Sequence, residues 1–209
     1  MPESLAPRPD HVLNSAETAL LLVDVINDLE FPGGELLLPR ARLMAQQAAE
    51  LKRQARQAGV PVIYVNESHD RWRPSFSREL SHCLENDVRG RPIVRLLQPE
   101  QSDLFVLKSP NSHSPGTNLD TLIDSLRVRT LVLAGLLANI CILVTSNDTY
   151  LGSFRLFVPS DCVAAKTAED CAATLEQMRH ALGAVISPST AIAFRSMGRH
   201  AFAAGQPVG

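Results

Sequence analysis

No apolar run in the 209 residues approaches the ~20 needed to span a bilayer, so a membrane partner is set aside. Charge of one sign is equally scarce. Against 20 Lys and Arg stand 22 Asp and Glu, a formal net charge of −2, which supplies no bulk attraction to nucleic acid or anionic lipid. Cysteine is sparse and irregular: Cys83, Cys141, Cys162 and Cys171 form no CxxC pair. That pattern is neither a disulfide framework nor a zinc knuckle, and it predicts a reduced, cytoplasmic chain. The first nine residues lack the apolar core of a signal peptide. No GxGxxG follows the first apolar run, which argues against a plain dinucleotide-binding domain. Repeats and low-complexity tracts are also missing.

What is present is a strand–helix alternation. Apolar content of 45% and charged content of 20% are ordinary for a globular protein. The length suits one domain burying about 70% of its unfolded surface. Residues 1–17, rich in Pro, read as an irregular N-terminal arm, and residues 18–209 as the folded domain. Continuous apolar runs predict strands over 19–24, 60–65, 104–108, 130–134 and 154–159, with a short sixth near 184–186. Met44, Ala48, Leu51, Ala55 and Ala58 make one helical stripe, and Ala172, Leu175, Met178 and Leu182 another. The long polar and aromatic stretch 66–102 reads as a lid-like insertion with at least one short helix. The fold class predicted is α/β: a single three-layer, Rossmann-like domain, a five- or six-stranded parallel sheet with helices on both faces.

Three chemistry-bearing residues end predicted strands. Asp24 follows Ala19-Leu20-Leu21-Leu22-Val23, Lys108 follows Leu104-Phe105-Val106-Leu107, and Cys141 lies just past Leu131 to Leu136. The helical spacing behind Cys141 predicts a thiol in a helix's first turn, where backbone N–H groups favour a thiolate. Ligands in such sheets bind beyond the strand carboxyl ends. Strands lie about 4.8 Å apart. Contact among the three groups is therefore simplest if the Lys108 strand adjoins the Asp24 strand, in the order 2-1-3-4-5.

These residues resemble the isochorismatase-like cysteine hydrolase superfamily over roughly 18–190. The motifs are Asp24 through Asn27-Asp28 to Pro32-Gly33-Gly34; Lys108-Ser109-Pro110-Asn111-Ser112 with Gly116-Thr117-Asn118; Gly135 to Cys141 with Thr145, Asp148 and Gly152; and Asp161. The resemblance implies Cys141 as nucleophile, Asp24 as general base and Lys108 as its charged partner. It also implies an oxyanion hole from the backbone N–H groups of Leu137 and Cys141, with a cis peptide at Leu136–Leu137. Nicotinamidases of the superfamily bind a divalent ion after the second strand. Here that place reads Asn66-Glu67-Ser68-His69, Ser75 stands where a second His is wanted, and Glu67 and His69 are left as weak candidates. Neither a metal nor another cofactor is expected.

Ile26 and the pair His113-Ser114 also depart from the nicotinamidase pattern. Trp72, Arg73 and Phe76, with Ser112 and His113, are expected to line the substrate pocket. The expected activity is hydrolysis of a small-molecule amide, carbamoyl or ureido C–N bond through a thioester on Cys141, in a homodimer or homotetramer. Isochorismate-type enol-ether hydrolysis, or a non-catalytic redox-reactive or ligand-binding role, are the alternatives.

Overall fold

The computed structural model describes residues 9–67, 75–108, 118–151 and 154–195. Within these, eight strands and six helices alternate: β1 (His11–Asn14), β2 (Thr18–Val23), α1 (Gly34–Gln57), β3 (Val62–Glu67), α2 (Phe76–Glu85), α3 (Arg91–Leu96), β4 (Leu104–Lys108), α4 (Asn118–Ser125), β5 (Thr130–Leu136), α5 (Leu143–Leu151), β6 (Arg155–Phe157), β7 (Val163–Ala164), α6 (Ala168–Leu182) and β8 (Ile192–Arg195). A six-stranded parallel sheet runs β4-β3-β2-β5-β6, with β7 also pairing β5. Every residue of β2 and of β5 is buried, because helices cover both faces. The α1–α3 side packs Leu37, Met44, Leu51, Phe76, Ile93 and Val94. The opposite side packs Ile123, Ile142, Leu175 and Met178.

The strand order differs from the expected one. β3 lies between β2 and β4, so Lys108 does reach across a strand. The reach succeeds because β3 stops at Glu67, whose N–H donates to Asp24 Oδ1 at 2.9 Å. The Asp24 carboxylate thus folds over the end of β3, and the long lysine stem covers the remaining distance. From β2 the chain steps outward to β3 and β4, then returns to β5 on the other side of β2. The switch point therefore lies between the ends of β2 and β5.

Several local readings change. Residues 11–14 of the expected arm form a strand parallel to β8. The helix expected from about 40 begins at Gly34 and carries Pro39 inside. Both Pro39 and Glu35, whose carbonyl loses its helical partner, are exposed, so the lost bond falls on the solvent side of the helix rather than in the core. The sixth strand is β7; residues near 184–186 contribute one bridge, Val185 to Phe157. The described part of the supposed lid is core: Phe76, Cys83, Ile93, Val94 and Leu97 are buried among the α1-side residues.

Candidate functional site

The site grows from the loop after β2. Asp24 adopts φ +49°, a left-handed conformation that Asp tolerates better than most residues. It accepts the Glu67 N–H at Oδ1 and, at Oδ2, a 2.8 Å hydrogen bond from Lys108 Nζ. The loop beyond is braced from the α2–α3 side. Gly90 N–H donates to Asp28 O at 2.8 Å, Arg89 Nη1 donates to Leu29 O at 2.9 Å, and His82 Nε2 lies 3.1 Å from Asp28 Oδ2. Gly34 is packed so closely that a Cβ there would sit 2.0 Å from Leu29 O.

Cys141 arrives from β5. Gly135, at φ +136°, allows β5 to pass β2 where a Cβ would lie 2.0 Å from Val23 O. The Leu136–Leu137 peptide is cis. The thiol is not in the first turn of an α-helix, as expected, but in a π turn over Ala138–Ile142 that leads into α5. The Ile142 N–H reaches back five residues to Leu137 O at 3.1 Å. Such wide turns recur at functional sites, because they re-aim a side chain without breaking the helix that follows.

Sulfur and the Asp24 and Glu67 carboxylates lie within 4.8 Å of one another. The electrostatics correct the expected thiolate. The Cys141 thiol is pushed up to about 12 by burial first, then by the charge and hydrogen bond of Asp24; Lys108 pulls the other way without prevailing, and Glu67 adds to the rise. Burial opposes the charge on Lys108, yet Asp24, Cys141 and Glu67 together hold its ammonium above its ordinary range. Burial and the neighbouring carboxylate thus favour the thiol over the thiolate, beside an Asp24 that Lys108 braces.

Asp24, Glu67 and Cys141 open onto a cleft of about 130 Å³ whose described lining also includes Asn27, Leu29, Phe31, Leu37, Asn66, Leu136 and Leu137. Of the expected pocket residues, Phe76 is not among them. It is buried in α2, edge-on to Tyr64 and stacked on Phe105 with ring centres 4.8 Å apart. It went to the core because α2 packs against the sheet, and Phe31 takes the aromatic position in the cleft. Trp72, Arg73, Ser112, His113 and His69 lie outside the described residues. Of the metal candidates, Glu67 faces the cleft, but both oxygens of neighbouring Asp24 are already bonded. Asp161 accepts from the N–H and hydroxyl of Ser189, a structural tie. The lining also takes in Leu29, Phe31 and Leu37, which carry no local signal of a pocket, and Asn27 and Asn66, two amides that flank apolar strands in the sequence.

A family model described as "Isochorismatase domain" matches residues 18–190. The chain is 33% identical over 175 residues to the uncharacterized isochorismatase family protein YaaI of Bacillus subtilis, covering 84% of this chain and 96% of that one. It is 26% identical over 183 residues to maleamate amidohydrolase of Pseudomonas putida, covering 83% and 84%. The crystal structure of N-carbamoylsarcosine amidase from Thermoplasma acidophilum superposes with a TM-score of 0.64 at 29% identity, over 83% of this chain and 96% of that one. A parallel sheet with an Asp, a Lys and a Cys gathered at its switch point, in a chain matched by that model over most of its length, belongs to the isochorismatase family.

Proposed function

We propose that the protein is a cysteine-dependent amidohydrolase that cleaves a small amide, carbamoyl or ureido C–N bond. The observation that carries this reading is the set of groups gathered at the cleft: Lys108 Nζ 2.8 Å from Asp24 Oδ2, and the Cys141 sulfur within 4.8 Å of the same carboxylate. A thiol held near 12 is a poor nucleophile by itself, so it needs a base in contact, and Asp24 is that base. As sulfur bonds to the carbonyl carbon, its proton passes to Asp24. The oxygen that becomes negative is held by the backbone N–H groups of Leu137 and Cys141. Asp24 then returns the proton to the departing nitrogen, the C–N bond breaks, and an acyl thioester remains on Cys141. Water, losing its proton to Asp24, attacks the thioester; the acid leaves and sulfur regains the proton. Lys108, hydrogen-bonded to Asp24 Oδ2, holds that carboxylate in place between steps.

Relatives described as a maleamate amidohydrolase and an N-carbamoylsarcosine amidase support an amide or carbamoyl substrate. Leu29, Phe31 and Leu37 supply the apolar wall, and Trp72, Arg73, Ser112 and His113 are further substrate contacts in this reading. It also includes a homodimer or homotetramer, which sedimentation would test. The decisive experiment is a panel of small amides and ureido compounds assayed for ammonia release, with intact-mass analysis of acid-quenched enzyme. An acyl adduct on Cys141 is expected. Turnover with no adduct under any quench would overturn the thioester route.

A further inference from the structure

The acceptor oxygens of the cleft are nearly all engaged. Asp24 receives Glu67 N–H and Lys108, and Asn27 Oδ1 receives Leu29 N–H at 2.8 Å. Glu67 is exposed to water. Asn66 is different. It is 1% exposed, its Nδ2 donates to Ile26 O at 2.8 Å, and its Oδ1 is buried with no hydrogen-bond partner among the described residues. The bond from Nδ2 settles which end of the amide is which, because the reversed group would set two oxygens against each other. Buried carbonyl oxygens in folded proteins almost always have a donor. One left without a donor, on a residue lining a ligand cleft, is matched to a donor that the ligand brings.

We infer that Asn66 is a specificity-determining residue whose Oδ1 accepts an N–H on the acyl side of the scissile carbonyl. The enzyme then selects ureido compounds, R–NH–CO–NH2, over carboxamides with CH2 in place of that inner NH. This rests on the amidohydrolase reading. The departing nitrogen must stay near Asp24 and the oxygen near the Leu137 and Cys141 N–H groups, so the third substituent of the carbonyl is left to the rest of the cleft. There Leu29, Phe31 and Leu37 offer only carbon, and among the described lining residues Asn66 Oδ1 is the buried side-chain acceptor that lacks a donor. Attack by Cys141 on such a substrate releases ammonia and leaves R–NH–CO–S–Cys141. Water then yields R–NH–COOH and the free thiol, and the carbamic acid loses carbon dioxide to give R–NH2.

The test uses the full-length protein and N-carbamoyl amino acids, each paired with its CH2 isostere, beginning with N-carbamoyl-β-alanine and the monoamide of glutaric acid. Ammonia release is read for wild type and for Asn66→Val. Because Val also removes the Nδ2 bond to Ile26 O, the expected result is a loss in kcat/KM on ureido members roughly tenfold to a hundredfold larger than any loss on their isosteres. Equal losses on both members, or none, would overturn the inference. If Asn66→Val fails to fold, calorimetric binding of each pair to Cys141→Ala decides: the ureido member is expected to bind more tightly, and equal affinity overturns the assignment. Wild-type turnover of carboxamides but of no ureido compound would also sink it while leaving the hydrolase reading intact. Turnover of neither would sink both.

Discussion

At the level of single residues the site behaves as a coupled acid–base unit, and two readouts separate its members. Asp24→Asn keeps a side chain that tolerates the left-handed backbone at φ +49° but cannot accept a proton. It should cost turnover about a thousandfold. The same change removes the carboxylate that helps hold the thiol near 12, so alkylation of Cys141 by iodoacetamide should become faster. Lys108→Met deletes the one group that lowers the thiol, so both turnover and alkylation should slow. Opposite signs on alkylation with the same sign on turnover are the expected signature, and parallel changes would contradict it. In wild type the alkylation rate should climb about tenfold per pH unit from 7 to 9, since the thiol titrates well above that window; a plateau below pH 9 would show a thiolate already formed. Cys141→Ser should abolish turnover and leave the melting temperature nearly unchanged, because the swap is small. Activity should also survive exhaustive chelation, with both Asp24 oxygens already bonded; loss that zinc or manganese restores would place a metal on Glu67.

At the scale of the elements, the site depends on how closely β5 passes β2. Gly135 sits at φ +136° against Val23 O, so Gly135→Ala meets both a forbidden backbone region and a backbone collision. A loss of about 2–3 kcal/mol in unfolding free energy is expected by urea titration, with activity falling further than stability because Asp24 and Cys141 flank that contact. A variant as stable and active as wild type would show that the strands can separate freely. The π turn that carries Cys141 was not legible in the sequence. The spacing of Ile142, Thr145 and Ser146, all buried, suits an α-helix as well, and the wider turn goes with the burial of Ala138 and Ile142 against Leu131 and Leu133 of β5. The strand order was hidden for a similar reason: β3 and β4 are both short apolar runs, and nothing in either states which one adjoins β2.

For the molecule as a whole, α1 is tied to the β4 side by a buried charge cluster. Lys52 donates to Gln98 O at 2.6 Å and lies 3.7 Å from Asp103, which Arg56 also binds. Lys52 is lowered to about 8, by burial first and by Arg56, against the pull of Asp103. Its folded value is thus below its unfolded one, so between about pH 8 and 10.5 the unfolded chain binds more protons than the folded one. Stability from this group rises with pH across that window. Compared with Lys52→Met, wild type should gain melting temperature between about pH 7.5 and 10, and a constant difference across that range would refute the assignment.

The sequence by itself determined the alternation of elements, the parallel sheet and the three residues that meet at the strand ends. Period, apolar continuity and strand-end position are local properties that a chain carries wherever it folds. Tertiary structure alone decided that Lys108 crosses β3, that Phe76 belongs to the core while Phe31 faces the cleft, and that Asn66 keeps an unbonded oxygen there. It also decided that burial and Asp24 raise the thiol above its ordinary range. Each of these depends on which distant groups become neighbours, and burial and charge at a point are sums over those neighbours.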